Sequence, residues 1–190
     1  MSTILEILGF VTGVIYLYFE YHGSTRMWIV SVIMPAISMW IYYSKGLYAD
    51  FAINIYYFII AVYGYIAWTF NFAKKEKKHL PVTRMPRRFY LPVIGVTALV
   101  YGVLCFWLVG FTDSNVPWYD ALTTALSITG MWMLARKYLE QWAVWIAVDA
   151  VCVGLYIYKG IYFYAALYLI YTVVAFYGLR KWRKMMQQEQ

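Results

Sequence analysis

Trp142, Trp145 and Asp149 stand three and four residues apart in an otherwise apolar run, a spacing that puts all three toward one side of a helix. Indole faces attract cations, and a carboxylate in a low-dielectric surrounding strengthens that preference. The trio therefore points to a flat, positively charged ligand built on an aromatic ring. Each member also has a plainer reading. Trp142 suits an interfacial aromatic belt, and Asp149 could hydrogen-bond a tyrosine of a neighbouring helix. Ionisable groups at membrane depth usually face a protein interior or a water-filled cavity, which favours a cavity for Trp145 and Asp149.

Other polar side chains are few. Asp50, Asn54 and Tyr57 share one helical face, and the amide of Asn54 offers both donor and acceptor to the edge of a heterocycle. Thr123, Thr124, Ser127 and Thr129 either meet a solute or bond back to their own helix. Glu6 and Glu20 lie in the first span, Glu6 at the outer mouth, where it would attract cations. His22 and His79 read as solvated loop residues, and Cys105 and Cys152 as small apolar groups inside apolar runs. Neither a disulfide framework nor metal-ligand spacing is visible, so no metal or cofactor is expected.

The elements that must hold these groups are helices in a bilayer. The 190 residues are 64% hydrophobic and 13% charged, against roughly 45 to 50% apolar and 25% charged in a soluble domain. Runs long enough to cross a membrane as helices cover about 3–21, 27–44, 48–70, 89–110, 118–135, 141–158 and 160–180. Helices pair their backbone amides within one segment, whereas barrel strands would show shorter, alternating runs. The first run carries Glu6 and lacks a basic start, so it reads as a span of the mature chain and not as a secretory signal. Met34-Pro35 predicts a kink in the second span.

The net charge of +7 follows the membrane and does not point to nucleic acid. With seven spans, Arg26, the basic residues from Lys74 to Arg88, Arg136, Lys137 and those from Arg180 to Lys184 fall on one side, and only Lys45 and Lys159 on the other. That bias puts the C-terminus in the cytoplasm and the N-terminus outside.

The stretch from Trp28 to Trp68 reappears from Trp142 to Trp182 without insertion: Lys45-Gly46-Leu47-Tyr48 matches Lys159-Gly160-Ile161-Tyr162, and Tyr63-Gly64 matches Tyr177-Gly178. A three-helix bundle (1–70), a basic cytoplasmic loop (71–88), a connecting helix with an outer loop (89–116), a second bundle (117–184) and a tail (185–190) follow. One intervening helix makes the repeats parallel, with a substrate site expected between the halves. Gly46 and Gly160 suit tight turns, and Gly64 and Gly178 suit close helix contact. The copies differ where a non-symmetric solute needs unequal contacts: Ser31 against Trp145, Pro35 against Asp149, Asn54 against Tyr168.

Three segments together resemble the PnuC family of bacterial vitamin transporters: Gly46-Leu47-Tyr48-Ala49-Asp50 leading to Tyr63-Gly64, then Met133-Leu134-Ala135-Arg136-Lys137, then Trp142-Ala-Val-Trp145-Ile-Ala-Val-Asp149 leading to Tyr158-Lys159-Gly160. The last is similar to the family's Trp-x-x-Trp-x-x-x-Asn/Asp signature. The resemblance implies an all-α, seven-helix, three-plus-one-plus-three fold like that of the SWEET sugar transporters. It also implies a homotrimer in the bacterial inner membrane, and facilitated diffusion followed by trapping through intracellular phosphorylation. Ligand contacts carry over to Trp142, Trp145 and Asp149 and more loosely to Asn54, with Tyr57, Ser127, Trp132 and Tyr168 as further candidates. Members that carry nicotinamide riboside tend to have glutamine at the position of Asn54 and just before the aromatic at Trp132, where this chain has Met131. That departure tilts the expectation towards thiamine, another cationic two-ring solute, with nicotinamide riboside as the alternative.

A membrane enzyme would need a nucleophile with a base, or paired carboxylates at a metal, near one interface. The acidic residues are instead spread over several helices. A non-catalytic membrane subunit would leave Asp149 unexplained.

Overall fold

The computed structural model describes residues 2–44, 48–70, 80–112, 115–160 and 162–188, without the side chains of 2–10, 41–42, 44, 48–50, 52 and 163. The Lys45-Gly46-Leu47 turn, His79 and the lysines from Lys74 to Lys78 lie outside the described residues, as do the side chains of Glu6 and Asp50. Among the described residues seven α-helices follow one another: α1 (Ser2–Tyr21), α2 (Arg26–Ser44), α3 (Tyr48–Thr69), α4 (Tyr90–Phe111), α5 (Pro117–Ala135), α6 (Gln141–Tyr158) and α7 (Tyr162–Gln188). Among the described residues there is no strand, only an isolated bridge between Thr83 and Tyr138. The shortest helix, α6, has 18 residues, which at 1.5 Å per residue reaches about 27 Å, close to the thickness of a bilayer's hydrocarbon core.

These helices turn apolar side chains outward. On α4, Leu91 is 80% and Phe106 76% exposed, while Cys105 is its one buried residue among those described. In water such a surface would be a large liability; in lipid it is the solvated face. Arg87–Phe111 and Gln141–Tyr158 are each long and apolar enough to cross a membrane, and shorter apolar stretches run over Arg26–Trp40 and Ile53–Thr69.

The chain divides into two compact units, Met1–Pro81 and Val82–Gln190. In the first, α2 packs on α3 and on α1. Trp28 and Trp68 form its centre, fully buried and edge to face at 5.6 Å and 85°. A side chain at Gly64 would collide with the Trp28 indole, so glycine here makes room for an aromatic wedge. Pro35 lies inside α2, which continues through it to Ser44.

In the second unit α4 packs on α5, α5 on α6 and α6 on α7. Its centre repeats the first: Trp142 meets Trp182 at 5.5 Å and 89°, and a Cβ on Gly178 would lie 2.5 Å from the Trp142 ring. The α1–α2 and α5–α6 turns also match bond for bond. Gly23 N–H donates to Glu20 O and Ser24 N–H to Phe19 O, both at 2.9 Å; Lys137 N–H donates to Leu134 O at 2.8 Å and Tyr138 N–H to Met133 O at 3.0 Å. This is the Schellman closure of a helix, which needs a left-handed residue after the last turn. Gly23 fills that position with φ 62° and Lys137 with φ 57°. Gly160 is left-handed as well, with φ 71°, as expected for a tight α6–α7 turn.

Two differences from the sequence reading are local. Helix α7 runs to Gln188, about two turns beyond the apolar stretch, because the added residues carry good helix formers and Met186 stays buried. The segment before α4 also clips onto the α5–α6 turn. Thr83 N–H donates to Lys137 O (3.2 Å), Leu139 N–H to Thr83 O (2.9 Å) and Met85 N–H to Glu140 Oε2 (2.9 Å). Val82, Met85 and Leu139 are buried beneath this clasp.

Candidate functional site

Helix α6 organises the second unit, and its side chains sort by angle. At about 100° per residue, Asp149 lies about 20° from Trp142 and about 40° from Trp145, on the opposite side of it. The two indoles therefore diverge. Trp142 is 1% exposed and fills the α6–α7 interface against Gly178 and Trp182. Trp145 turns to α5, where its ring lies against Gly130; a Cβ there would come within 3.3 Å of it. Trp142 and Trp145 are thus not brought together in one cavity, and Trp142 shares the role of Trp28 as a packing wedge.

The Trp145 indole N–H is buried with no hydrogen-bond acceptor among the described residues. A buried donor of this kind costs about 1–3 kcal/mol while unpaired, so it is disposed to accept a partner. Asp149 is 8% exposed, and its carboxylate receives no hydrogen bond among the described residues. It is also in electrostatic range of Tyr168 and Tyr171 on α7 and of Cys152 on its own helix. Tyr156 completes this face: its ring stacks on Tyr168 at 5.3 Å and 15° and on Tyr164 at 5.4 Å and 24°. Tyr171 closes the group edge-on to Tyr168 at 5.8 Å.

The result is one carboxylate set in phenols and a thiol at the middle of a largely apolar bundle. Such a face can hold a delocalised cation by charge and by stacking. Among the described residues there is no group of three or more His, Cys, Asp or Glu that could hold a metal.

The other candidates occupy different places. Ser127 is half-buried on α5, one turn from Gly130. Trp132 packs edge-on to Phe89 at 6.4 Å and to Tyr138 at 5.8 Å, at the end of the bundle where α5 turns into α6. Asn54 and Tyr57 are half-buried on α3 of the first unit, Tyr57 against Tyr56 at 5.7 Å. Thr123 and Thr129 bond back to Tyr119 O at 3.0 Å and Ala125 O at 3.1 Å, and Thr129 also meets Thr97 of α4 at 2.6 Å. Those two hydroxyls serve the scaffold.

Sequence reasoning passed over Cys152 and Tyr156 as site residues. They stand three and seven positions after Asp149, the helical spacing that could have found them.

A buried carboxylate on an aromatic face of a helical membrane bundle suits the class of small-solute transporters. The chain belongs to one family of that class: residues 3–184 match the nicotinamide mononucleotide transporter family, the PnuC family. It is 23% identical over 166 residues to the nicotinamide riboside transporter PnuC of Escherichia coli K12, covering 75% of this chain and 69% of that one. It is 22% identical over 191 residues to the protein of the same name from Neisseria mucosa, covering 94% and 71%. A shorter match, 36% over 66 residues, covers 35% of this chain and 31% of the riboflavin/roseoflavin transporter RibM of Streptomyces davaonensis. The fold matches a crystal structure of the vitamin B3 transporter PnuC with a TM-score of 0.68 at 21% identity, over 95% of this chain and 80% of that one. The family is one of membrane transporters and not of enzymes, and it implies a multi-pass inner-membrane protein.

Proposed function

We propose that this protein takes up nicotinamide riboside by facilitated diffusion. The observation that carries the reading is Asp149, a buried carboxylate without a hydrogen bond among the described residues, facing the tyrosines of α7. The pyridinium ring of the riboside brings one positive charge on a flat aromatic frame, which suits that face. The names of the PnuC relatives favour the riboside over thiamine, towards which the absence of glutamine at Asn54 and Met131 had pointed. The mononucleotide of the family's description fits less well, because its phosphate would approach a carboxylate in low dielectric.

In this reading Trp145 and Asp149 bind the ring cation, Tyr168 and Ser127 flank it, and Trp142 and Trp132 act through packing. Asn54 and Tyr57 contribute amide and phenol contacts from the first repeat. The two bundles are parallel repeats in a SWEET-like three-plus-one-plus-three arrangement that works by alternating access. The protein is a homotrimer with its N-terminus outside and its C-terminus in the cytoplasm, and intracellular phosphorylation traps the vitamin.

Uptake into sealed proteoliposomes tests this. Saturable entry of labelled nicotinamide riboside that stops at equal concentrations, without a proton gradient, is the expected result. Accumulation only under an imposed pH gradient would replace facilitated diffusion by proton coupling, and absence of uptake would end the riboside reading.

A further inference from the structure

The aromatic face around Asp149 does not stop at mid-helix. Helices α5 and α6 touch where Gly130 meets Trp145. Counting away from that contact, Asp120 lies ten residues along α5 and Tyr156 eleven residues along α6. Two antiparallel helices climb about 15 and 16 Å over those lengths, so Asp120 and Tyr156 arrive at the same height. Asp120 is in electrostatic range of both Tyr156 and Cys152, and Cys152 is in range of Asp149 as well. The stacked rings of Tyr164, Tyr156 and Tyr168 run along the same stretch.

We propose that Asp120 and the Tyr156–Tyr164 stack form a second cation subsite, at the end of the second bundle farther from the α5–α6 turn, from which a flat cationic solute passes along the tyrosine stack to Asp149. The proposal rests on the riboside reading and deepens it, naming positive charge on the ring as what is selected. The chemistry is direct. Asp120 is half-buried in the first turn of α5, where a carboxylate suits the helix N-terminus, and it lies within electrostatic range of the aromatic face. Phenol rings and their hydroxyl oxygens recur along this stretch, so a passing cation meets partners there and not hydrocarbon alone. In the orientation proposed above this end faces outward, where a carboxylate also raises the local concentration of cations and the rate of their arrival.

A helix-stabilising acid alone would serve the fold and leave solute charge unread. The two roles separate in an uptake assay with the full-length protein in proteoliposomes, at substrate well below saturation. Its probes are cationic nicotinamide riboside and thiamine, and the neutral dihydro form of the riboside. Asp120→Asn is expected to slow entry of the cation roughly tenfold, to leave the neutral form unchanged, and to flatten the dependence of cation entry on ionic strength. Asp120→Glu should restore the preference, and calorimetric binding of the cation at Asp149 should stay within about twofold of wild type, the subsites being separate. Equal slowing of cation and neutral form by Asp120→Asn, or an unchanged ratio between them, overturns the subsite. If Asp120→Asn fails to fold, Asp120→Glu together with Tyr156→Leu carries the same comparison, and an unchanged cation preference in Tyr156→Leu overturns the proposal. No entry of either cation through the wild-type protein overturns the riboside reading and the subsite with it.

Discussion

Trp142 lies over Gly178 so closely that a Cβ there would stand 2.5 Å from the indole, and Trp28 does the same over Gly64 in the other repeat. Each glycine is a hole cut for one ring. Gly178→Ala and Gly64→Ala should each destabilise the protein by about 1–3 kcal/mol through overpacking, read as a drop in the thermal unfolding midpoint in detergent. Gly154→Ala is the control. Nothing lies within 4 Å of a Cβ at that position, so helix propensity alone acts and the midpoint should hold or rise. Equal behaviour of all three would remove the wedge account.

The two tryptophans of the signature should part company. Trp142→Ala leaves a cavity at a fully buried position and should cost about 3–5 kcal/mol of stability. Trp145→Phe keeps a ring against Gly130 but removes the buried N–H that has no acceptor among the described residues. It should unfold near the wild-type midpoint while binding of nicotinamide riboside weakens. Thermal melts with and without ligand check both, and an unimpaired ligand shift in Trp145→Phe would take Trp145 out of the site.

That divergence marks how far the sequence can be read. Helix positions followed from apolar run lengths, because a bilayer sets span length, and the repeat identified Gly64, Gly178 and Gly160 as special before any geometry was known. Shared positions such as Trp28 and Trp142 turned out to be scaffold, while the unequal position Asp149 faces the tyrosines. Two things were not legible. Residues three and four apart share a side of a helix, yet 60° separates Trp142 from Trp145, enough for different neighbours to claim them. The clasp of Thr83 and Met85 on the α5–α6 turn depends on a short irregular segment with no periodicity to betray it.

Glu140 holds that clasp. One carboxylate oxygen accepts from Met85 N–H at 2.9 Å and the other from the Tyr90 hydroxyl at 3.4 Å. Glu140→Ala should leave the half-buried Met85 amide short of an acceptor and cost about 1–3 kcal/mol locally. Hydrogen exchange at Met85 and Thr83 should speed up while the α6 core stays protected. Exchange unchanged at Met85 would mean that the backbone bridge alone holds the segment.

Asp149 is the proposed partner of the ring cation. Calorimetric titration of purified wild-type protein and Asp149→Asn with nicotinamide riboside tests it most directly. The carboxylate account predicts measurable binding to wild type, weaker binding of the mononucleotide, and at least a tenfold loss of riboside affinity in Asp149→Asn, about 1.4 kcal/mol. Full riboside affinity in Asp149→Asn, in a protein that melts like wild type, would contradict it.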